Sequence, residues 1–330
     1  MNPKRIFLII LTIVILAGFF GLGGIYFSKN SNSTESVIFS VEKGEGSKEI
    51  ALNLEKKGLI WWEPLFRAYV LITGYSKKLQ AGSYELNPSM NVPQIVRKFV
   101  SGDTLKIKIT IPEGFNLKQI EDEFSLELPR PALGRFFAAD FKSEFDFLND
   151  APAGASLEGF LFPDTYILEL LIDDKEIAES FLKNFNNKLT QDFRVEIKKQ
   201  NKKIFEIVTM TSLIEKEVKT KEDKEIVSGI LWKRLKNNIP LQVDATIGYI
   251  TGKKSTEISI DETKIDSPYN TYRYLGLPKG PICNPGIESI LAAIYPQNSQ
   301  YWYYLSTPEG KTIFSKTLEE HNIAKAKYLK

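Results

Sequence analysis

The chain has 330 residues, and its 43 Lys+Arg against 41 Asp+Glu leave a formal charge of +2, which implies no nucleic acid or other polyanionic partner. Hydrophobic residues make up 43%, as in an ordinary globular protein large enough for about two domains. One cysteine, Cys283, excludes an internal disulfide and a Cys-rich metal site, and one histidine, His321, argues against a His-ligated metal or a Ser-His-Asp triad. Chemistry must then rest on carboxylates, amides and hydroxyls, and no cofactor is called for.

Lys4 and Arg5 precede an uncharged run from Ile6 to Phe27. That run is long enough to cross ~30 Å of hydrocarbon as a helix. It lacks the short apolar core and the Ala-x-Ala site of a cleaved signal peptide, so an uncleaved anchor is expected. The flanking charges put the N-terminus in the cytoplasm and the rest of the chain beyond the cell (inner) membrane, as a single-pass protein. The domain plan is residues 1–28 as cytoplasmic tip and anchor, 29–36 as a flexible linker, 37–103 as a first subdomain and 104–330 as a second domain.

Val37 to Val41 alternates as a strand, and helices are expected at 48–57, 63–72 and 91–100, with strands at 78–86 and 105–111. The stretch Val41-Glu42-Lys43-Gly44 to Ile50 matches Ile111-Pro112-Glu113-Gly114 to Ile120. Each copy reads strand, glycine turn, helix. Units of this kind resemble LysM modules, which bind N-acetylglucosamine-containing glycans; a generic βα unit gives the same pattern.

Pro129 to Gly154 is irregular and aromatic-rich, and its alternating Phe and charge are compatible with a helix. Glu158 to Tyr166 packs Phe160, Phe162, Tyr166, Pro163, Glu158 and Asp164 into nine residues. Such a stretch suits either a sugar-stacking wall with hydroxyl-binding carboxylates or a packed connector. A helix is expected at 173–188, followed by a basic polar stretch, 194–203.

Ile207 to Val218 reads as an amphipathic helix with Ile207, Met210, Thr211, Ile214 and Val218 on one stripe. Glu217 lies on the edge of that stripe, four residues after Leu213 and three after Ile214. Glu215 points toward a polar flank. A carboxylate against apolar side chains has its pKa raised, as a general acid near neutral pH requires; an ordinary solvated Glu-Lys-Glu run is the plainer reading. Residues 219–224 read as a charged turn and 225–235 as a helix. Gln242 and Asp244 would share one side of an extended segment. Tyr269 and Asn270 follow, and then Gly276 to Gly286, a Pro/Gly-rich rigid loop carrying Asn284. A helix at 287–294, a strand at 301–306 and a helix at 318–329 complete the chain.

Glu158–Tyr166, Leu213–Glu217, Leu241–Thr246, Tyr269–Tyr272 and Leu277–Gly286 resemble, in order, motifs of the endolytic murein transglycosylases, the YceG-like family. The resemblance runs from the anchor to His321. It implies an α+β chain: an N-terminal transmembrane helix, a LysM-like αβ subdomain and a mixed α+β catalytic domain. It further implies a lytic transglycosylase, a carbon–oxygen lyase that cuts the MurNAc–GlcNAc bond of nascent glycan strands and leaves 1,6-anhydro-MurNAc ends. The family's catalytic glutamate falls on Glu217. Gln242, Asp244, Tyr269, Asn270, Asn284, Glu158 and Asp164 are the candidates for binding substrate. Partners implied are peptidoglycan strands and the membrane, with peptidoglycan synthases as candidates. Thr312 stands where relatives often carry a histidine. Two alternatives stay open: a hydrolytic muramidase using Asp244 as second carboxylate, and a non-catalytic glycan-binding scaffold.

Overall fold

A computed structural model describes residues 3–125, 131–254 and 257–329. Pro129 and Arg130 of the aromatic-rich stretch, and Met1 and Asn2 of the cytoplasmic tip, lie outside the described residues. The chain is mixed α+β and divides into two compact units, one of residues 1–108 with 167–172 and one of 109–166 with 173–330.

The first unit comprises α1 (Pro3–Tyr26), β1 (Val37–Val41), α2 (Ser47–Lys56), α3 (Glu63–Ile72), β2 (Gly82–Leu86) and α4 (Val92–Ser101). β1 and β2 pair antiparallel with Phe39 opposite Tyr84. Both rings pack on Phe99 of α4, and Ile50, Leu54, Phe66, Val70 and Ile95 fill the rest of the core. These are the inward positions of three short amphipathic helices closing over one sheet face. Asn91 and Gln94 form a capping box that starts α4, and Gly102 in the left-handed region ends it. Residues 29–36, the expected flexible linker, join α1 to β1. Ile25 packs against the core of this unit, and the Asn30 amide donates to the Pro88 carbonyl at 3.1 Å.

β3 (Lys106–Thr110) and β4 (Thr165–Glu169) pair, and the boundary between the units falls inside both strands. The second unit holds α5 (Leu117–Phe124), α6 (Asp174–Lys188), α7 (Gln191–Lys199), α8 (Ile204–Glu217), α9 (Lys221–Lys236), α10 (Asp244–Thr251), α11 (Ile287–Ile294), α12 (Leu318–Tyr328) and the antiparallel hairpin β5 (Tyr303–Ser306)–β6 (Thr312–Ser315). The repeat in the sequence is a repeat in structure. Gly44 (φ 84°) and Gly114 (φ 79°) make equivalent left-handed turns, and Ile50 and Ile120, each six residues on, are fully buried.

Three expectations differ. Residues 133–148 form short 3₁₀ turns rather than one helix, with Phe147 packed between Phe160 and Phe185 at 5.8 and 5.0 Å. The polar stretch after α6 is mostly helical, because α7 needs only Ile197 buried. The charged turn before α9 is its first turn, capped by the Thr220 hydroxyl, which accepts from the Asp223 amide at 3.2 Å.

Candidate active site

α8 is not a one-sided amphipathic helix: every residue from Ile207 to Ile214 is buried. The hydroxyls of Thr209, Thr211 and Ser212 make this possible by donating to the carbonyls of Phe205, Ile207 and Thr209 at 2.7–2.8 Å. Their polar atoms are satisfied within the helix, so they behave as small core residues. Only the last turn emerges, and it carries Glu215, Lys216 and Glu217.

Glu217, the last residue of α8, is half-buried. Burial is the main force on its carboxyl and pushes it from the ordinary 4.5 up to about 7. The Tyr304 hydroxyl from β5 donates to it and opposes the rise; the Asp244 charge adds to the rise; the Ala245 amide donates and opposes it again. The C-terminal end of α8 therefore meets the first turn of α10. There Asp244 is exposed and accepts a short hydrogen bond from the Tyr272 hydroxyl. Behind it the buried Arg234 of α9 donates to the Leu241 carbonyl at 2.9 Å and to Gln242 Oε1 at 3.3 Å, and its guanidinium lies 5.3 Å from the Tyr303 ring centroid.

The expected extended pairing of Gln242 with Asp244 is absent. Asp244 opens α10, and Gln242 adopts a left-handed conformation (φ 54°) held by the bond from its amide to the Thr271 carbonyl at 3.1 Å. Both side chains are nevertheless exposed.

A second cluster surrounds Glu158. Its carboxyl is buried and raised to about 7 by desolvation, although the Leu117 amide, the Tyr249 hydroxyl and Asn284 all donate to it. Asn284 is fully buried and its amide is committed: Oδ1 accepts from the Gly159 and Leu161 amides at 2.9 Å, and Nδ2 donates to the Phe115 carbonyl and to Glu158 at 3.0 and 2.8 Å. Asn270 is committed in the same way, to Thr263, Ile265, Tyr272 and Arg273. Tyr269 stands half-buried beside Tyr249, ring centroids 5.0 Å apart. Asp164 bonds to Asn184 at 3.0 Å and to the Thr165 amide, with no contact to the Glu217 group. Among the candidates, then, Asp244 lies near enough for its charge to act on Glu217, and Gln242 bonds to Arg234, which stands against Tyr303. Glu158, Asn284 and Tyr269 form the separate cluster.

The Pro/Gly-rich loop fastens to α8 residue by residue. The Ile282 amide donates to Ser212 Oγ, Cys283 Sγ to the Ser212 carbonyl, and the Gly286 amide to Glu215. Glu215 is thus not on a free polar flank. Its side chain is 9% exposed, accepts from Ser289, and faces Lys224 (4% exposed) at 3.5 Å. Glu215→Gln keeps the acceptor but loses the charge pairing with buried Lys224. An expected loss of about 2 kcal/mol is measurable by urea denaturation, and an unchanged midpoint would show the pair to be silent.

Tyr304, Tyr272 and Arg234 carry no signal in the sequence that singles them out. Tyr272 stands in a quoted motif, but Tyr304 is one of several aromatics in 301–304, and only the fold puts it on Glu217. Thr312 donates to Asp223 at 2.8 Å, and His321 stacks on Tyr303 at 5.3 Å with burial as the main cause of its lowered pKa. Among the described residues no group of three or more His, Cys, Asp or Glu is placed to hold a metal.

A model of the YceG-like family matches residues 39–327. The chain is 35% identical over 314 residues to a Bacillus subtilis (strain 168) protein named endolytic murein transglycosylase, covering 90% of this chain and 86% of that one. It is 29% identical over 349 residues to a protein of the same name from Streptococcus pneumoniae serotype 2 (strain D39), covering 96% of this chain and 63% of that longer one. A crystal structure of a yceG-like protein from Listeria monocytogenes is similar with a TM-score of 0.61 at 34% identity, covering 88% of this chain and 99% of that chain.

Proposed function

The chain belongs to the YceG-like family, and on that premise we propose that it is a membrane-anchored endolytic murein transglycosylase in which Glu217 is both acid and base. The observation that carries the reading is the Glu217 carboxyl itself: half-buried, raised to about 7, and held by Tyr304 and the Ala245 amide at the end of a helix buried from Ile207 to Ile214. A group titrating there is protonated in a large fraction of molecules at neutral pH and is a competent general acid.

Glu217 gives its proton to the glycosidic oxygen as the bond from C1 of the muramic acid unit breaks. The resulting carboxylate takes the proton from that unit's 6-hydroxyl as its oxygen bonds C1. The acid is regenerated, no water is consumed, and the product ends in a 1,6-anhydro ring. Asp244, exposed beside Glu217 and held by Tyr272, favours the protonated acid before the reaction and faces the positive charge that develops at C1. Tyr304 fixes the carboxyl. Asn284 and Asn270 hold their own loops rather than bind sugar, because their amides are spent internally, whereas Gln242 has an exposed side chain to offer a substrate hydroxyl.

α1 supports the anchor: within Lys4–Tyr26 an 18-residue window has a mean hydropathy of 2.8. The strand–glycine–helix unit of β1 and α2 supports a LysM-like, glycan-holding first unit. Mass spectrometry of digested peptidoglycan tests the reading. Anhydro ends are expected; reducing ends carrying added water would overturn it in favour of a muramidase using Asp244. The acid also predicts a pH profile. kcat/KM should be level below neutrality and fall about tenfold per pH unit above about 7, as Glu217 loses its proton. A basic limb with its midpoint near pH 5 would remove Glu217 from the role.

A further inference from the structure

α3 presents two apolar stripes. Phe66 and Val70 face the core of the first unit. Leu65, Tyr69 and Ile72, at spacings of four and three, share a second face, and Trp62 caps the helix three residues before Leu65. Leu65 lies against Gly21 and Gly24 of α1: a Cβ at Gly21 would stand 3.8 Å from it, and one at Gly24 would overlap it. Tyr69 stands near Tyr26 at the end of α1. The rest of the second face is bare, with Trp61 51%, Trp62 58% and Ile72 83% exposed, and Tyr26 and Phe27 at the end of α1 are exposed as well.

The depth of this face follows from α1. At 1.5 Å per residue, Gly21 and Gly24 lie about 3–8 Å from the Tyr26 end of the span. α3 therefore crosses α1 where a membrane-spanning helix leaves the hydrocarbon. Tryptophan and tyrosine concentrate at that level, because their rings are apolar and their N–H and O–H groups need water. The exposed Arg67, Lys77 and Lys78 suit the headgroup side of the same boundary.

We propose that Trp61, Trp62 and Ile72, with Tyr26 and Phe27, seat the first unit on the surface of the phospholipid bilayer from which α1 emerges. This rests on the reading of α1 as a membrane anchor. The seat is a second attachment, formed by α3 and its preceding Trp pair, and it holds the first unit against the lipid instead of on a free tether.

The full chain reconstituted in phosphatidylcholine vesicles brominated near the carbonyl end of the acyl chains tests both points. Flotation of the protein with vesicles at alkaline pH reports the anchor. Quenching of tryptophan emission reports the seat. Of four tryptophans, Trp61 and Trp62 form the proposed seat, so the wild type should lose about a third more of its emission than the double variant if they enter ~5–10 Å into the boundary. Trp61→Phe/Trp62→Phe should be quenched clearly less than the wild type, and Ile72→Ser, at an exposed position, should reduce the wild-type quenching. Flotation with equal quenching of wild type and double variant overturns the seat while leaving the anchor. Failure to float overturns both. Unquenched tryptophans that become protected on self-association at higher protein density would assign the face to a second copy of the chain and likewise overturn the proposal.

Discussion

Glu217→Gln should lower the rate of glycan-strand cleavage at least ~10³-fold while leaving the protein folded, because amide nitrogen can neither give nor take the proton that both halves of the reaction require. Glutamine keeps the shape and an acceptor oxygen for the Tyr304 hydroxyl and the Ala245 amide. The loss should therefore lie in kcat, with substrate binding nearly unchanged. Stability should move the other way. The folded-state value of about 7 lies above the ordinary 4.5. Below about pH 4 the carboxyl is protonated in folded and unfolded chains alike and contributes no difference. Between those values the unfolded chain ionises first, so stability falls as pH rises, and the full cost is present above about 7. That cost is up to about 3 kcal/mol. Glu217→Gln should thus equal the wild type in urea at pH 4 and exceed it at pH 8. Near-wild-type cleavage by Glu217→Gln would sink the catalytic assignment, and equal stability at both pH values would mean that the carboxyl is not held in a desolvated place.

What the sequence made legible was local. The two strand–glycine–helix units could be read because turn, cap and first core residue fall within ten positions, and Ile50 and Ile120 are buried where that spacing puts them. The asymmetry between Glu215 and Glu217 was only half legible. Periodicity placed Glu217 beside apolar side chains, but it pointed Glu215, which follows Thr211 and Ser212, toward a polar flank. Their hydroxyls bond back to the helix's own carbonyls, and the flank is core. Glu215 consequently faces a buried lysine instead of water. Tyr304 and Arg234 were illegible for a different reason. They reach Glu217 and Gln242 through tertiary packing, and nothing in a Tyr-rich strand or a Lys/Arg-rich helix marks one member for the task. The Gln242–Asp244 spacing misled because the left-handed Gln242 and the start of α10 replace the extended segment that the two-residue rule assumes.

Asn284→Ala should be the most damaging single change to the second unit. One amide closes four bonds, joining residues 159 and 161, the turn at Phe115 and the Glu158 carboxyl. Truncation leaves two buried N–H groups, a carbonyl and a carboxyl each short of a partner. At about 1–3 kcal/mol for each unmet group, and with partial relaxation, a loss of about 4 kcal/mol or more is expected. For a unit of this size that corresponds to a Tm lowered by roughly 10 °C. Asn284→Asp separates the packing from the hydrogen bonding. Its oxygen still accepts from the Gly159 and Leu161 amides, but the donor to Phe115 and Glu158 is lost, and a second carboxylate faces Glu158. Glu158 titrates at about 7, so at pH 5 one carboxyl can stay protonated and bridge the other. Above about 7 both are driven to ionise, and like charges at that separation repel strongly. Asn284→Asp should therefore be only mildly destabilised at pH 5 and severely at pH 8, whereas Asn284→Ala should be weak at both. Parallel loss of Tm in the two variants at every pH would show that volume, not the four-way bond, is what the loop supplies. Cleavage should survive in whatever fraction of Asn284→Asp remains folded, because Asn284 belongs to the separate Glu158 cluster and Glu217 does the chemistry.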